Sequence, residues 1–469
     1  MRHIQGENRH QTHLLPPSLE DFVAADHSVR VIDALVNKLD LAMLGFSKAV
    51  TKDTGRKPYD PADLLKLYVY GYINQVNTSR RLERECQRNL EVMWLLGRLA
   101  PDFKTIADFR KDNGAAIRQS CRAFIQFCRQ AGLLTGGLVA IDGSKFKAAA
   151  SKDQALNRKQ LNRDRTKIEQ QVADYLARLD AADQQDNEVS MVHDQVQAAL
   201  KRLERLDRYE QAMDAGDRNQ HCDTEPDARI MRSGRDGMVL GYNVQTAVDA
   251  DSGLIVHHEV SQDTGDNRLL QPMAEQAQAE LGHVELTVLA DAGYANGEQQ
   301  ASLEAQGIMV TVPRRVIPNH KAHYQKADFD FDLERNEYRC PAGQVLSYVR
   351  DDQSRKLHVY QRSGCNQCSL QPHCTTADTR SITRNFYEAV TERSQARILA
   401  DPALMVRRMA IAERPFAVLK QAMALRRFVC RGMTAVQTEM AIAVIGLSLI
   451  HISEPTRRTP ISYAVFCLK

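Results

Sequence analysis

The sequence has little aromatic character. One tryptophan occurs in 469 residues, and Phe, Trp and Tyr together make up 6%. An excess of charge of one sign is also missing, because 62 Lys and Arg stand against 59 Asp and Glu, which leaves a net charge of +3. A protein that binds nucleic acid through its overall charge is therefore excluded, and any such surface must be local. The 26% of charged residues suits solvated helices around a modest aliphatic core.

Long hydrophobic runs are absent as well. The longest, residues 440–452, falls short of the roughly 20 residues that a membrane-spanning helix needs, and the N-terminus has no apolar stretch typical of signal peptides. We therefore expect a cytoplasmic protein without membrane contact. The disulfide framework of a small secreted domain is excluded too, because six of the ten cysteines are scattered: Cys86, Cys121, Cys128, Cys222, Cys430 and Cys467.

Residues 1–135 have helix-start signals and no alternating strand pattern. Asp60 can cap a helix that has Pro61 at its first position, and a second, arginine-rich helix is predicted to start at Thr78 or Ser79. Short helices with a basic one among them favour a helix-turn-helix that binds DNA, or an ordinary helical bundle with solvated arginines. Both interpretations stay open on the sequence alone.

After residue 136 the pattern changes to strands. An apolar run at 138–141 ends in Asp142, and a second at 286–290 ends in Asp291. Between them we predict two antiparallel helices inserted at 151–218, a β-hairpin at 238–249 and 254–260, and a helix at 267–281.

Aspartates at the ends of buried strands are held rigidly at a sheet edge, where carboxylates can share divalent metal. Each of them alone could equally be a turn or cap residue. A third acid, Glu413, lies in a predicted helix among cations, and shares a face with Lys420 if that helix continues through Pro415. Its alternative role is an ion pair with a neighbouring arginine.

Several motifs together resemble those of the bacterial DDE-type insertion-sequence transposases, which have a ribonuclease-H-like catalytic domain. The resemblance covers most of the chain. It is based on Gln5-Gly6-Glu7-Asn8-Arg9 with Gln11, Val29-Arg30-Val31-Ile32-Asp33, Tyr59-Asp60-Pro61, Ile141-Asp142-Gly143-Ser144-Lys145, Gly241-Tyr242-Asn243-Val244-Gln245 with Asp249, Ala290-Asp291-Ala292-Gly293-Tyr294, and Arg408, Glu413 and Lys420. Met405 stands where the family usually has tyrosine.

The resemblance implies an α+β fold with a helical N-terminal domain and a ribonuclease-H-like mixed sheet. It implies that Asp142, Asp291 and Glu413 hold two Mg²⁺ (or Mn²⁺) ions for in-line displacement at phosphorus. The implied partners are double-stranded DNA, both the terminal inverted repeats of the element and its target, and a second copy of the chain in a synaptic homodimer at the nucleoid. Phosphate-binding cations are expected to be Lys145, Arg314, Arg315, Arg408, Arg414 and Lys420.

The four remaining cysteines lie between the second and third acids: Cys340, Cys365, Cys368 and Cys374. Tetrahedral Zn²⁺ takes four donors, and the Cys-x-x-Cys pair supplies two of them from one turn. Structural zinc, free buried thiols and redox use are the three interpretations that the spacing allows.

We predict domains at 1–135 (helical, a candidate for DNA binding) and 136–446 (catalytic), the latter with insertions at 151–218 (helical hairpin) and 312–380 (cysteine-containing). Residues 447–469 resemble translated adapters from short-read DNA sequencing, so we interpret them as a non-native tail. The expected activity is DNA cleavage and joining at the ends of a mobile element. Two alternatives remain: a stand-alone metal-dependent nuclease of the same fold, and an inactive or regulatory DNA-binding remnant.

Overall fold

The computed structural model describes residues 12, 14, 17–51, 54, 57–134, 136–181, 186–216, 218–234, 236–282, 285–315 and 323–453, and of residues 178–181, 186–192 and 453 only the backbone. The predicted motif at 5–11 lies outside these residues. The described residues of the N-terminal region form six α-helices: α1 (Ser28–Lys38), α2 (Pro61–Ile73), α3 (Ser79–Arg88), α4 (Leu90–Leu95), α5 (Phe103–Asp112) and α6 (Gly114–Gln130).

Local capping chemistry fixes where these helices begin. The Asp60 carboxylate accepts a hydrogen bond from the Ala62 amide at 2.8 Å, and the Asp102 carboxylate accepts one from the Thr105 amide at 2.9 Å. Each bond satisfies an amide that has no partner within its helix. Helix α2 is buried from Leu64 to Tyr72 and forms the centre of the region.

The chain then enters a strand, leaves it for a helical hairpin and returns. The elements are β1 (Leu138–Lys147), β2 (Ala155–Asn157), α7 (Arg158–Ala181), α8 (Asp186–Ala215) and β3 (Gln220–Cys222). Strands β2 and β3 pair antiparallel at the base of the hairpin, and a small apolar cluster that includes Leu161, Leu206 and Met213 joins its two helices. The helices lie within the predicted insertion at 151–218.

The following elements complete a six-stranded sheet: β4 (Arg229–Ser233), β5 (Gly237–Asp249), β6 (Ile255–Ser261), α9 (Leu270–Leu281), β7 (Leu286–Leu289), α10 (Gly297–Ala305) and β8 (Ile308–Thr311). The strand order is β6-β5-β1-β7-β8, with β4 also pairing to β5. Strands β1, β7 and β8 are parallel, whereas β5 is antiparallel to both β1 and β6. The predicted hairpin at 238–260 corresponds to β5 and β6.

Strand β1 differs from its prediction. It does not end at Asp142 but continues to Lys147, because Gly143 to Lys147 pair with the first half of β5 and Phe146 is fully buried. Asp142 therefore lies inside a strand, at the point where the neighbouring parallel strand β7 has already ended. The predicted helix at 267–281 also begins later, at Leu270.

The predicted cysteine-containing insertion is a second sheet. Its strands are β9 (Asp330–Asp332), β10 (Glu337–Arg339), β11 (Val345–Asp352), β12 (Leu357–Arg362) and β13 (Arg380–Asn385), all antiparallel in the order β13-β12-β11-β10-β9. A separate aromatic core, with Phe329, Tyr338 and Tyr360, holds it together. The sheet extends past residue 380, the predicted end of the insertion.

The last described elements are α11 (Glu388–Ala400), α12 (Ala403–Ala417), a π-helical turn (Val418–Ala422) and α13 (Met433–Ser453). Among the described residues, Met433–Ile452 is long and apolar enough to cross a membrane, but 78% of it is buried inside the protein. It packs against α2, α6 and β6 as a core helix. Leu447 and Leu449 are buried within it, so the helix runs beyond the boundary predicted at residue 446. Residues 454–469 of the predicted tail lie outside the described residues.

Candidate active site

Asp142 is a largely buried carboxylate near the centre of the sheet. Its Oδ1 forms an ion pair with the Arg408 guanidinium at 2.8 Å, and their side chains are 16% and 9% exposed. The same oxygen accepts a hydrogen bond from the Gly143 amide at 2.8 Å. Burial raises the pKa of Asp142 to about 6, opposed by Arg408 and reinforced by the negative charge of Asp291.

Asp291 directly extends the neighbouring strand. Ala140 of β1 stands opposite Leu289 of β7, so Asp142 and Asp291 each follow this parallel pair by two residues. Adjacent strands lie about 5 Å apart, and residues two apart share a sheet face, which accounts for the charge interaction between the two acids. Asp291 also caps the next turn, because its Oδ1 accepts a hydrogen bond from the Gly293 amide at 2.8 Å.

Glu413 lies on α12, exposed, beside a cleft of about 570 Å³. The helix continues through Pro415 as its sequence allows, and Glu413, Phe416 and Lys420 line the same cleft as Asp142. Asp291 is not among the residues that line it. Asp142 and Glu413 therefore line one cleft, and Asp291 lies beside it as a neighbour of Asp142.

Lys420 connects the C-terminal helices to β1. Its Nζ donates hydrogen bonds to Ser144 Oγ at 2.6 Å and to the Lys145 carbonyl at 3.0 Å, and lies 4.6 Å from the centre of the Phe146 ring. The π-helical turn that contains Lys420 is a wide helical turn of a kind often found at functional sites.

The predicted phosphate-binding cations differ in where they lie. Lys145 and Lys420 line the cleft, whereas Arg315 and Arg414 are exposed but do not line it. Arg314 is held by ion pairs of 3.4 and 3.8 Å to two glutamates of α11. The prediction for Arg408 needs correction, because this side chain is buried against Asp142 and is not presented to solvent.

Sequence reasoning missed several residues of the cleft: Lys147, Arg232, Asp236, Asp266 and Arg426. Asp266 follows β6 and precedes α9. No apolar run ends at Asp266, which stands six residues after the predicted strand at 254–260, so the pattern that singles out Asp142 and Asp291 does not extend to it.

The four cysteines of the second sheet share a cavity. All of them line one cavity of about 400 Å³, and Gln344 donates its amide proton to Cys340 Sγ at 3.4 Å. Burial raises the pKa of Cys374, with smaller contributions from Cys365, Cys340 and Cys368 and opposition from Arg380.

The donor chemistry of both clusters suits metal ions, since carboxylates bind Mg²⁺ or Mn²⁺ and thiolates bind Zn²⁺. However, within the described ranges no three His, Cys, Asp or Glu side chains stand together in a metal-binding arrangement. At Asp142 the Arg408 guanidinium supplies the neighbouring positive charge instead.

Two family models match the chain, Transposase domain (DUF772) over residues 17–112 and Transposase DDE domain over residues 339–452. The second includes Arg408, Glu413, Lys420 and the four cysteines of the cavity. No curated protein matches. A cryo-EM structure of the piggyBac transposase synaptic complex with hairpin DNA aligns with 94% of this chain and 78% of its own, at 9% identity and a TM-score of 0.34, too distant a likeness to support an argument. The two family matches identify the chain as a DDE-type insertion-sequence transposase, and its DDE domain implies a divalent metal ion.

Proposed function

We propose that this transposase cuts DNA at the terminal inverted repeats of its element and joins the ends to target DNA through Asp142, Asp291 and Glu413. The observation that supports this most is the cleft, which combines two of these acids, Asp142 and Glu413, with five cations: Lys145, Lys147, Arg232, Lys420 and Arg426. Cations of this kind bind the phosphate backbone, and carboxylates bind divalent metal ions. The same chemistry would act on chromosomal DNA in the cytoplasm.

The strand order β6-β5-β1-β7-β8, with β5 antiparallel and β1, β7 and β8 parallel, supports a ribonuclease-H-like core. In such a core Asp142 and Asp291 lie on neighbouring strands, and Glu413 approaches from a later helix. The three carboxylates would hold two divalent ions, which when bound activate the attacking oxygen and stabilise the leaving oxygen. The Arg408 contact uses Oδ1 of Asp142, and an ionised carboxylate has a second oxygen with which to bind a metal ion.

The decisive test uses Glu413→Gln, which keeps size and hydrogen bonding but removes the charge. We expect cleavage of element-end DNA in Mg²⁺ or Mn²⁺ to fall by two orders of magnitude or more, since metal-held charge is worth several kcal/mol and each ~1.4 kcal/mol is tenfold in rate. DNA binding should survive. Glu285→Gln, at an exposed acid that does not line the cleft, is the matched control.

Three results would redirect the assignment. Equal cleavage by Glu413→Gln and the parent would mean that the third acid is misassigned. Cleavage without strand-transfer products on a target plasmid would favour a stand-alone nuclease. No cleavage by the parent in either metal, with DNA binding intact, would favour a regulatory or inactive remnant. Mass measurement of the protein–DNA complex would test the proposed synaptic homodimer.

For DNA contact we propose the cleft cations and helix α3. In α3, Leu82 and Cys86 are buried while Arg81 and Arg84 are exposed, an arrangement suited to a helix lying against a DNA backbone. Arg81→Ala and Arg84→Ala should each weaken binding and reduce the slope of log affinity against log salt by about 1. Arg335→Ala, an exposed arginine of the second sheet, should change neither.

For the cysteine cavity we propose structural zinc held by Cys340, Cys365, Cys368 and Cys374. The support is that all four line one cavity, and that an amide proton is donated to Cys340 Sγ, which stabilises a thiolate. Elemental analysis should find one zinc per chain, and a Cys365→Ser/Cys368→Ser double variant should lose it. Absence of zinc with four freely alkylated thiols would support free thiols instead.

A further inference from the structure

Asp266 lines the cleft, and its carboxylate contacts three donors. Its Oδ1 accepts hydrogen bonds from Asn243 Nδ2 at 2.8 Å and Gln245 Nε2 at 2.9 Å, and forms an ion pair with Lys145 Nζ at 3.2 Å. Two of these donors come from β5 and the third from β1. A single oxygen therefore contacts side chains of both β1 and β5. Its partner on β1, Lys145, is three residues from Asp142.

The same carboxylate stands between the two segments that bear the catalytic aspartates. A Cβ added to Gly143, next to Asp142, would lie 2.8 Å from Asp266 Oδ1, and one added to Gly293, two residues after Asp291, would lie 3.7 Å from Asp266 Oδ2. Glycine at position 143 is required sterically, because that Cβ would also lie 2.1 Å from Gln245 Nε2.

A buried hydrogen-bond chain extends this contact to the Asp291 turn. The Tyr294 hydroxyl donates to Gln245 Oε1, and Gln245 Nε2 donates to Asp266 Oδ1 and to Asn243 Oδ1. Tyr294 and Gln245 are almost completely buried, so water cannot replace a lost partner and the chain can adopt few other arrangements.

We propose that Asp266 is a positioning residue of the transposition reaction, which fixes the spacing of Asp142 and Asp291 through Gln245, Asn243 and Lys145. The proposal rests on the proposed function of those two acids. The assigned role of Asp266 is indirect: its hydrogen-bonded oxygen sets where β1 and the Asp291 turn stand, so that the metal-binding carboxylates are preorganised.

The test measures metal affinity separately from activity. Free Mn²⁺ is followed by EPR as full-length protein is titrated, without DNA. We expect Asp266→Ala to weaken Mn²⁺ binding by at least tenfold, the usual loss when a supporting partner of a metal ligand is removed. Asp266→Asn keeps an acceptor oxygen for Asn243 and Gln245 and should restore binding to within about threefold of the parent. Asp263→Asn, an exposed acid on the same loop, is the matched control.

A second variant displaces the carboxylate without removing it. Gly143→Ala places a Cβ against Gln245 and Asp266 and should lower Mn²⁺ affinity as Asp266→Ala does, which keeps the test informative if Asp266→Ala does not fold. Cleavage of element ends should follow the affinity of each variant, with DNA binding unchanged.

The outcomes separate this proposal from the proposed function. If Asp266→Ala folds and binds Mn²⁺ as the parent does, the positioning role is wrong, whatever its thermal stability. If Asp266→Asn fails as completely as Asp266→Ala, positioning through neutral hydrogen bonds is wrong. If instead the parent cuts no element ends but its Mn²⁺ affinity depends on Asp266 as expected, the function fails while the structural role of Asp266 stands.

Discussion

The ion pair between Arg408 and Asp142 should stabilise the fold by a coupling free energy that is large at pH 8 and small at pH 5, and replacing Arg408 by methionine measures it. At 2.8 Å and an effective dielectric constant near 20, the direct attraction is about 6 kcal/mol. The net loss of unfolding free energy in Arg408→Met is smaller than this attraction, because an unpaired Asp142 can take up a proton. With its pKa at about 6, protonation at pH 8 costs about 1.4 kcal/mol for each of about two pH units, or ~3 kcal/mol. At pH 5 the carboxyl is already mostly protonated, so the coupling should fall below ~1 kcal/mol.

The assay is a double-mutant cycle. The free energy of unfolding is measured in urea, without divalent cations, for the parent, Arg408→Met, Asp142→Asn and the double variant. The raised pKa of Asp142 also means that the native chain holds more protons than the unfolded chain between about pH 4 and 6. The parent therefore loses stability as pH rises through that window, and Asp142→Asn should remove this loss.

A neighbouring pair provides the control. Arg407 contacts Asp251 at 3.4 Å, but both side chains are more than half exposed, and such surface pairs contribute below ~1 kcal/mol. Arg407→Met should therefore have little effect at either pH. A coupling between Arg408 and Asp142 that is below ~0.5 kcal/mol at pH 8, or equal at pH 5 and 8, would refute the reasoning.

Three further predictions concern stability. Asp60→Ala removes the α2 cap and should cost about 1 kcal/mol in urea unfolding, with an unchanged midpoint arguing against the cap. Gly71→Ala puts a Cβ 2.4 Å from the Val76 carbonyl oxygen and should cost ~2 kcal/mol or more, whereas a neutral result would show that the α2 turn can shift. Burial lowers the pKa of His257 to about 4 and of His258 to about 3, so the free energy of unfolding should fall as the pH drops below 6.5. The double variant His257→Gln/His258→Gln should reduce this fall, and an unchanged slope of unfolding free energy against pH would contradict the prediction.

Short-range chemistry made much of the fold predictable. The Asp60 and Pro61 pair predicted the start of α2, and the apolar runs predicted β1 and β7 because each is buried on both faces. The second sheet was not predicted as strands, since its core is aromatic and small, and the turns between its strands are polar and irregular.

Pairing between distant strands could not be read from local patterns. The length of β1 depends on β5, which is separated from it by the whole helical hairpin. The register of Asp142 against the Asp291 turn depends likewise on the parallel pairing with β7. Local patterns located both acids but gave no information on Asp266, whose role depends on donors from β1 and β5 that only the assembled sheet brings to one oxygen.

Helical geometry alone separates Arg408 from the cations that face the cleft. At about 100° per residue, Arg408 and Glu413 are five positions and therefore about 140° apart, so they cannot share a helix face. Arg408 instead aligns with Ala412 and Pro415, and all three are buried. A cation on the buried face of a helix needs an acid from another element, and Asp142 is the acid that it meets. Grouping all cations near Glu413 as phosphate ligands ignored this periodicity, whereas Lys420, two turns beyond Glu413, lies at the same cleft.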